Sequence, residues 1–452
     1  MGSETRQAGI EARTDDSGNG GNAPAGAPKA RSSGAKARSG GANVRNGGAN
    51  VRSGGASVRD GGVVKAGIDV EKVRADTPGC AEVAHLNNAG AALPPRPVIE
   101  TVAEQFALES LIGGYEAAER SAAVVEHFYD AVAGLIGAHR DEIAYVENAT
   151  RAWDMAFYAI PFARGDRILT TTSEYSSNAI AYQQVAASKG VRVEVVPDDP
   201  EGTLSLDALE DELAKGDVRL VSLNHVPTHN GLVNPVAEVG RLCREHGVLY
   251  LLDACQSIGQ LPVDVGEIGC DVLSATGRKF LRGPRGTGFL YVRQGIVQTL
   301  EPPFLDLHAA TWKAPDGYEI REDARRFETW ERYVAGQMGL GAAADYAMEV
   351  GIEAIEERVT ALASALREEL ADRPGTTVLD GGERPSGIVT FTVDGHEPAE
   401  IKTVARQAGV NVNTTSPRSQ GYDPHALPSA VRASVHYYNT EEELDRLLAV
   451  LP

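Results

Sequence analysis

The chain has 452 residues, 42% apolar and 23% charged, a globular composition that excludes collagen, coiled coil or wholly disordered protein as the main architecture. Its length leaves room for a full core and two domains. A formal charge of −20 argues against a nucleic-acid partner, and no apolar run approaches the roughly 18 residues of a membrane span. Four cysteines (Cys80, Cys243, Cys255 and Cys270) are too few and too scattered for a disulfide framework or a zinc site, so a reduced, cytoplasmic protein is expected.

Residues 1–66 differ from the rest. They hold 15 of the 49 glycines, no leucine and no aromatic residue, and carry 10 Lys/Arg against 5 Asp/Glu. That net of +5 leaves −25 for the remainder. A seven-residue repeat runs through GGANVRN, GGANVRS and GGASVRD, but two glycines and one valine per repeat cannot build a coiled-coil seam. A disordered low-complexity tail is expected, without the apolar stretch of a secretory signal.

From Ile143 onward the pattern alternates. Expected strands are Ile143–Glu147, Arg167–Thr171, Arg192–Val196, Arg219–Asn224, Val248–Asp253, Val272–Ala275 and Gly288–Val292, with helical segments such as 150–162 and 236–246 between them. Such alternation predicts a mostly parallel sheet covered on both faces. One long helical stretch follows at 333–371. A smaller α/β unit comes last: a strand at Ile388–Thr392, a helix near 398–408, a strand near Ala433–His436 and a helix from Glu441.

In an open parallel sheet, ligands bind at the carboxyl ends of the strands. Asp253 ends VLYLLD, where a carboxylate either caps the next helix or awaits a cation. Lys279 lies between a strand and the glycine-rich FLRGPRGTGFLYV, where backbone approaches a ligand closely. Asn148, Ala149 and Thr150 end a strand and open a helix, and a helix start is an anion site. Each feature alone is weak; the order and spacing of the three are more specific.

Seven segments carry a resemblance: HLNNAGAALPP, ENATRAW, TSEYSSNAIAY, NHVPTHNGLVNPV, LLDACQSIGQLPVD, TGRKFLRGPRGTGFLYV and VRASVHYYNTEEELDRLL. Over residues 84–452 the chain resembles the class V aminotransferase family of fold type I pyridoxal-phosphate (PLP) enzymes. The resemblance implies an α/β fold: a large domain with a mostly parallel seven-stranded sheet (111–335), a small C-terminal domain (336–452), and a segment at 67–110 packing on the small domain and the active site. It implies that Lys279 holds the cofactor covalently and moves protons, that Asp253 pairs with the ring nitrogen, and that Gln256 bonds the phenolic oxygen. Ala149, Thr150, Thr276 and Arg278 are then phosphate contacts. Tyr175 stacks on the ring and is a candidate proton donor, with His225 beside it. Arg432 binds a substrate α-carboxylate, which implies an α-amino acid substrate. Asn87 and Asn88 lie on a loop over the site. A homodimer is implied, with 325–333 near the partner.

Two departures bear on the reaction. Cysteine desulfurases of this family carry a nucleophilic cysteine in the loop before the RAS segment. That loop reads NVNTTSPRSQGYDPHALPSAVRAS here and has none; Arg418 falls near the position. Trp330 and Glu331, in RRFETWERY, replace small residues of the desulfurases. Both features are similar to the subgroup around isopenicillin N epimerase and hercynylcysteine sulfoxide lyase. That subgroup favours a C–S β-lyase acting on an S-substituted cysteine, ahead of an aminotransferase or an epimerase, with desulfurase and non-catalytic roles behind. Arg418 is then a candidate contact for a bulky or second anionic substituent.

Overall fold

The computed structural model describes residues 67–416, Tyr422 and 427–452. The expected tail and Arg418 lie outside the described residues. Seven strands form the main sheet: β1 (Ile143–Val146), β2 (Arg167–Thr171), β3 (Arg192–Val196), β4 (Val218–Asn224), β5 (Leu249–Asp253), β6 (Val272–Thr276) and β7 (Gly288–Val292). Their order is β1-β7-β6-β5-β4-β2-β3. β7 runs antiparallel to both β6 and β1, and the other neighbouring pairs are parallel. The expected mostly parallel seven-stranded sheet is therefore the one observed. Successive side chains point to opposite faces, so β5 places Leu251 in one core and Leu252 in another.

Helices cover both faces. α1 (Arg96–Ile112), α4 (Val236–His246) and α5 (Val334–Val350) contribute Val98, Leu242 and Leu340 to one core. α2 (Ala149–Phe157) and α3 (Ser176–Lys189) contribute Phe157 and Tyr182 to the other. Helix α5 therefore belongs to the large-sheet core, packing mainly against α1 and the helix Ala122–Ile136, although most of it falls beyond the boundary expected at 335. The single helix expected over 333–371 is two: Gly351 adopts φ +95° and separates α5 from α6 (Ile352–Ala371). That conformation suits glycine, and it turns the chain from one core to the next.

The second sheet is antiparallel. It comprises β8 (Thr376–Val378), β9 (Ile388–Val393), β10 (Asn413–Thr415) and β11 (Ala430–Ser434) in the order β8-β9-β11-β10. Strand β11 begins earlier than expected and takes Arg432 into the sheet, opposite Thr390 and Asn413. α6, α7 (Pro398–Gln407) and α8 (Glu441–Leu448) close a third core over it. The N-terminal segment joins this core: Ala84–His85 pairs with Val410–Asn411, and Ala84 and Leu86 are fully buried.

Candidate active site

The carboxyl ends of β1, β2, β4, β5 and β6 and the amino end of antiparallel β7 lie along one edge of the main sheet. Register sets their residues side by side: Asn224 against Asp253, Asp253 against Ser274, and Thr276 against Gly288. A cavity of about 380 Å³ opens there. It is lined by eight residues singled out in the sequence: Ala149, Thr150, Tyr175, Asp253, Gln256, Thr276, Arg278 and Lys279.

Lys279 sits in a turn whose carbonyls are all held. Ala92 N–H donates to the Arg278 carbonyl at 2.9 Å, Arg282 N–H to that of Lys279 at 2.9 Å, and the His436 ring lies 2.8 Å from that of Phe280. Protein packs round the lysine, yet its side chain keeps accessible surface because that surface faces the cavity. Burial lowers its pKa below the ordinary lysine value. Arg278 and Arg432 add to the effect, while Cys255 and Asp253 oppose it. The environment thus favours the neutral amine, which is the nucleophilic and basic form.

Asp253 is buried at the end of β5. Its Oδ1 accepts Cys255 N–H at 2.9 Å and its Oδ2 accepts the Asn178 amide at 3.3 Å. Gln256 lies one turn on and donates through Nε2 to the Ala89 carbonyl at 3.3 Å and to Thr228 Oγ1 at 3.0 Å. Arg432 also reaches Thr228, through Nη1, at 2.8 Å to the carbonyl and 2.7 Å to the hydroxyl. It is only 6% exposed, and burial lowers its pKa to about 10. A guanidinium so desolvated, without a carboxylate partner among the described residues, is suited to receiving one from a ligand.

Helix α2 starts at the cavity floor. Asn148 caps it by accepting Arg151 N–H at 2.9 Å. The amides of Ala149 and Thr150 have no intrahelical acceptor and supply the positive end of the helix. Gly288 permits this approach: a Cβ there would stand 3.0 Å from the Asn148 carbonyl carbon and 3.2 Å from Ala149 N. Arg278 Nη1 donates to Thr276 Oγ1 at 2.9 Å beside it. Tyr175 precedes α3 and is 40% exposed.

Two sequence-derived residues, His225 and Asn88, stand apart from this group. His225 does not line the cavity. β4 ends at Asn224, whose amide donates to the Ser173 carbonyl at 2.8 Å, and the His225 side chain beyond it points elsewhere. It faces a separate cleft of about 550 Å³ with Pro262, Met348 and Arg384. Burial, with Arg384 nearby, lowers its pKa to about 3. Asn88 is fully buried, and its amide donates to the carbonyls of His85 and Ser434 while Tyr438 donates to its carbonyl oxygen. It fastens the N-terminal segment to β11 and does not line the cavity. Arg418 lies outside the described residues.

Other residues of the site escaped the sequence reading. Asn178 lies three residues after Tyr175, so helical spacing could have placed it on the same face. Thr228 sits in a loop, with no periodicity to reveal it. Glu174 is fully buried behind Asn178, whose amide it accepts at 3.0 Å.

This arrangement fits pyridoxal phosphate. A helix start and Thr276 with Arg278 suit a phosphate, a buried carboxylate suits a protonated ring nitrogen, and a lysine whose burial lowers its pKa suits an aldehyde. Gln256 Oε1 is buried without a partner at the cavity wall, as an atom awaiting a ligand would be.

The fold is that of fold type I PLP-dependent transferases. The class V aminotransferase profile matches residues 84–447, and the chain belongs to that family, which uses pyridoxal phosphate. It is 31% identical over 385 residues to a probable cysteine desulfurase of Methanothermobacter thermautotrophicus, covering 83% of this chain and 96% of that one. The apo cysteine desulfurase of Thermococcus onnurineus NA1 superposes with a TM-score of 0.79 at 28% identity, over 86% and 98% of the two chains. The cystine C–S lyase C-DES, solved with its product cysteine persulfide, superposes at 0.75 with 25% identity over 82% and 98%. A lysine mutant of C-DES has been solved with glycine covalently linked to PLP.

Proposed function

We propose that the protein is a PLP-dependent C–S β-lyase acting on an S-substituted cysteine. The observation that carries this reading is the placement of thiols. The loop before β11 contains no cysteine, and Cys255 is the one cysteine lining the cavity among the described residues. Burial pushes the Cys255 thiol up, and neighbouring Asp253 pushes it further, so it is a poor persulfide acceptor. C–S cleavage must then release sulfur on the substrate's own leaving group.

Lys279 would carry the cofactor, Asp253 would face its ring nitrogen, and Ala149, Thr150, Thr276 and Arg278 would hold its phosphate. When bound, the cofactor withdraws electrons from the substrate's α-carbon. Arg432, braced by Thr228, orients the α-carboxylate. Lys279 takes the proton from Cα as the general base. Tyr175 donates a proton to the sulfur, which departs with the C–S bonding pair. With water, the overall products are thiol, pyruvate and ammonium.

The names of the relatives favour a second reading, cysteine desulfurase, which needs a protein thiolate. One experiment tests both. PLP-loaded protein is given S-substituted cysteines or L-cysteine, and pyruvate, thiol and protein mass are followed. Pyruvate and thiol from the conjugates, unchanged in Cys255→Ser, is the expected result. Alanine with a one-sulfur increment on Cys255 would overturn the lyase reading in favour of the desulfurase.

We also read the chain as a homodimer. Phe106, Leu111 and Tyr115 are exposed, and Tyr115 lines a cleft of about 850 Å³ with Trp330 and Tyr333, 55% and 42% exposed. Aromatic surface on this scale supports burial against a second copy. Sedimentation equilibrium is expected to return twice the chain mass; a monomeric mass at micromolar concentration would sink the dimer.

A further inference from the structure

Behind Asp253 lies a second carboxylate. Glu174 has no exposed surface. It joins β2 to α3 and gathers donors from several elements. Its Oε1 accepts Tyr175 N–H at 2.6 Å, the Asn178 amide at 3.0 Å and the Asn224 amide at 3.4 Å. Its Oε2 accepts Thr170 Oγ1 at 2.9 Å and the Tyr182 hydroxyl at 2.8 Å. The same Asn178 nitrogen reaches Asp253 Oδ2 at 3.3 Å, so one amide serves two carboxylates with its two protons. Tyr175 and Asp253, placed at the cofactor's face and ring nitrogen, thus both hang from Glu174.

We propose that Glu174 is a positioning residue for Asp253, acting through the shared amide of Asn178, and that a proton entering or leaving Glu174 changes the charge behind the cofactor ring and so the grip of the site on the cofactor. This rests on the reading that Asp253 faces the ring nitrogen. The titratable groups facing Glu174 are Asp253 on β5, Tyr182 on α3 and Tyr422. No lysine or arginine among the described residues pairs with it. Burial raises its pKa to about 7, and the charge of Asp253 contributes to the rise.

The network has a place for the proton in both states. With Glu174 ionised, Tyr182 donates to it. With Glu174 protonated on Oε2, Tyr182 can accept and turn its own proton to Ser222 Oγ, 2.8 Å away. An ionised Glu174 adds negative charge near a protonated ring and tightens its binding. By linkage, the bound cofactor favours ionisation and moves the transition to lower pH.

The test measures the PLP dissociation constant of apo wild type, Glu174→Gln and Asn178→Ala between about pH 5 and 9. The ratio of the Glu174→Gln constant to that of wild type is expected to be near one on the acid side and to rise severalfold across the transition. A ratio independent of pH would overturn the proposal, because a merely structural role weakens binding equally throughout. Asn178→Ala keeps Glu174 and cuts the bridge; it too should flatten the dependence, and an unaltered profile there counts against the proposal even if Glu174→Gln does not fold. Failure of the wild type to bind PLP would instead overturn the reading beneath it. Thermal stability gives a second signal. A carboxyl whose pKa rises from 4.5 to about 7 on folding holds more protons folded than unfolded between those values. Apo wild type should lose melting temperature against Glu174→Gln as pH rises through that window.

Discussion

On the proposed mechanism, Lys279→Ala is expected to lower pyruvate release from S-substituted cysteines by about 10⁴-fold or more, since it would remove both the covalent anchor and the base. The loss should not be one of folding. The carbonyls of the lysine turn are held by the main-chain N–H groups of Ala92 and Arg282 and by the His436 ring, none of which uses the Lys279 side chain. Circular dichroism and the melting curve should therefore stay near wild type while the visible absorbance of lysine-bound cofactor disappears. Burial lowers the Lys279 pKa, so the amine becomes available at lower pH than for a solvent lysine. Tyr175→Phe gives a useful contrast. If its hydroxyl protonates the leaving sulfur, thiols of high pKa should leave about 10²-fold more slowly. Activated aryl thiols, which leave as anions, should depart almost unhindered. Equal losses for both leaving groups would remove Tyr175 from the proton path, and retained turnover in Lys279→Ala would remove the mechanism.

Lys279 and Asp253 stand at the ends of strands that β-rich runs announce, and their order along the chain is specific. Three strand boundaries, Arg167–Thr171, Arg192–Val196 and Gly288–Val292, coincide with the sequence reading because turn residues bracket each run. His225 lines a different cleft from the cavity, and the local pattern just past the end of β4 does not reveal which way its side chain turns. Thr228 and Glu174 were missed because their roles come from partners far along the chain: Arg432 meets Thr228 across 204 positions, and Asn178 meets Asp253 across 75. The break at Gly351 was missed because the same stretch holds Gly336, Gly339 and Gly341, which a helix accommodates. Only the need to leave one core and enter another selects the turn there.

Arg282→Ala is expected to cost about 4 kcal/mol of stability, measured by urea unfolding of the apo protein. Arg282 is 2% exposed and has no carboxylate partner among the described residues. Neutral groups take its charge instead. Nε donates to the Leu93 carbonyl at 2.8 Å, Nη1 to the Tyr437 hydroxyl at 2.6 Å and Nη2 to Thr77 Oγ1 at 2.5 Å. The rings of Tyr438, Tyr437 and Tyr346 surround the guanidinium at 4.6, 5.1 and 5.7 Å. Alanine would remove the donor to the Leu93 carbonyl, the Tyr437 hydroxyl and Thr77 Oγ1, of which Thr77 still donates to the Val73 carbonyl, and leave a cavity. Arg282→Met separates these effects, for it restores volume without donors. If the charge only occupied space, Met would match wild type, as apolar replacements of buried ion pairs often do. We expect Met to recover only part of the loss, because the oxygens belong to backbone and side chains that stay in place. Arg282→Lys should also fall short, since one ammonium cannot reproduce a planar fork aimed at three acceptors. The consequence reaches the site. Arg282 lies three residues from Lys279 at φ +64°, and its bonds tie the lysine turn to the N-terminal segment and to the chain after β11. A variant that stays folded should therefore take up PLP more slowly than its stability alone dictates, and normal uptake in folded Arg282→Met would confine the residue to stability.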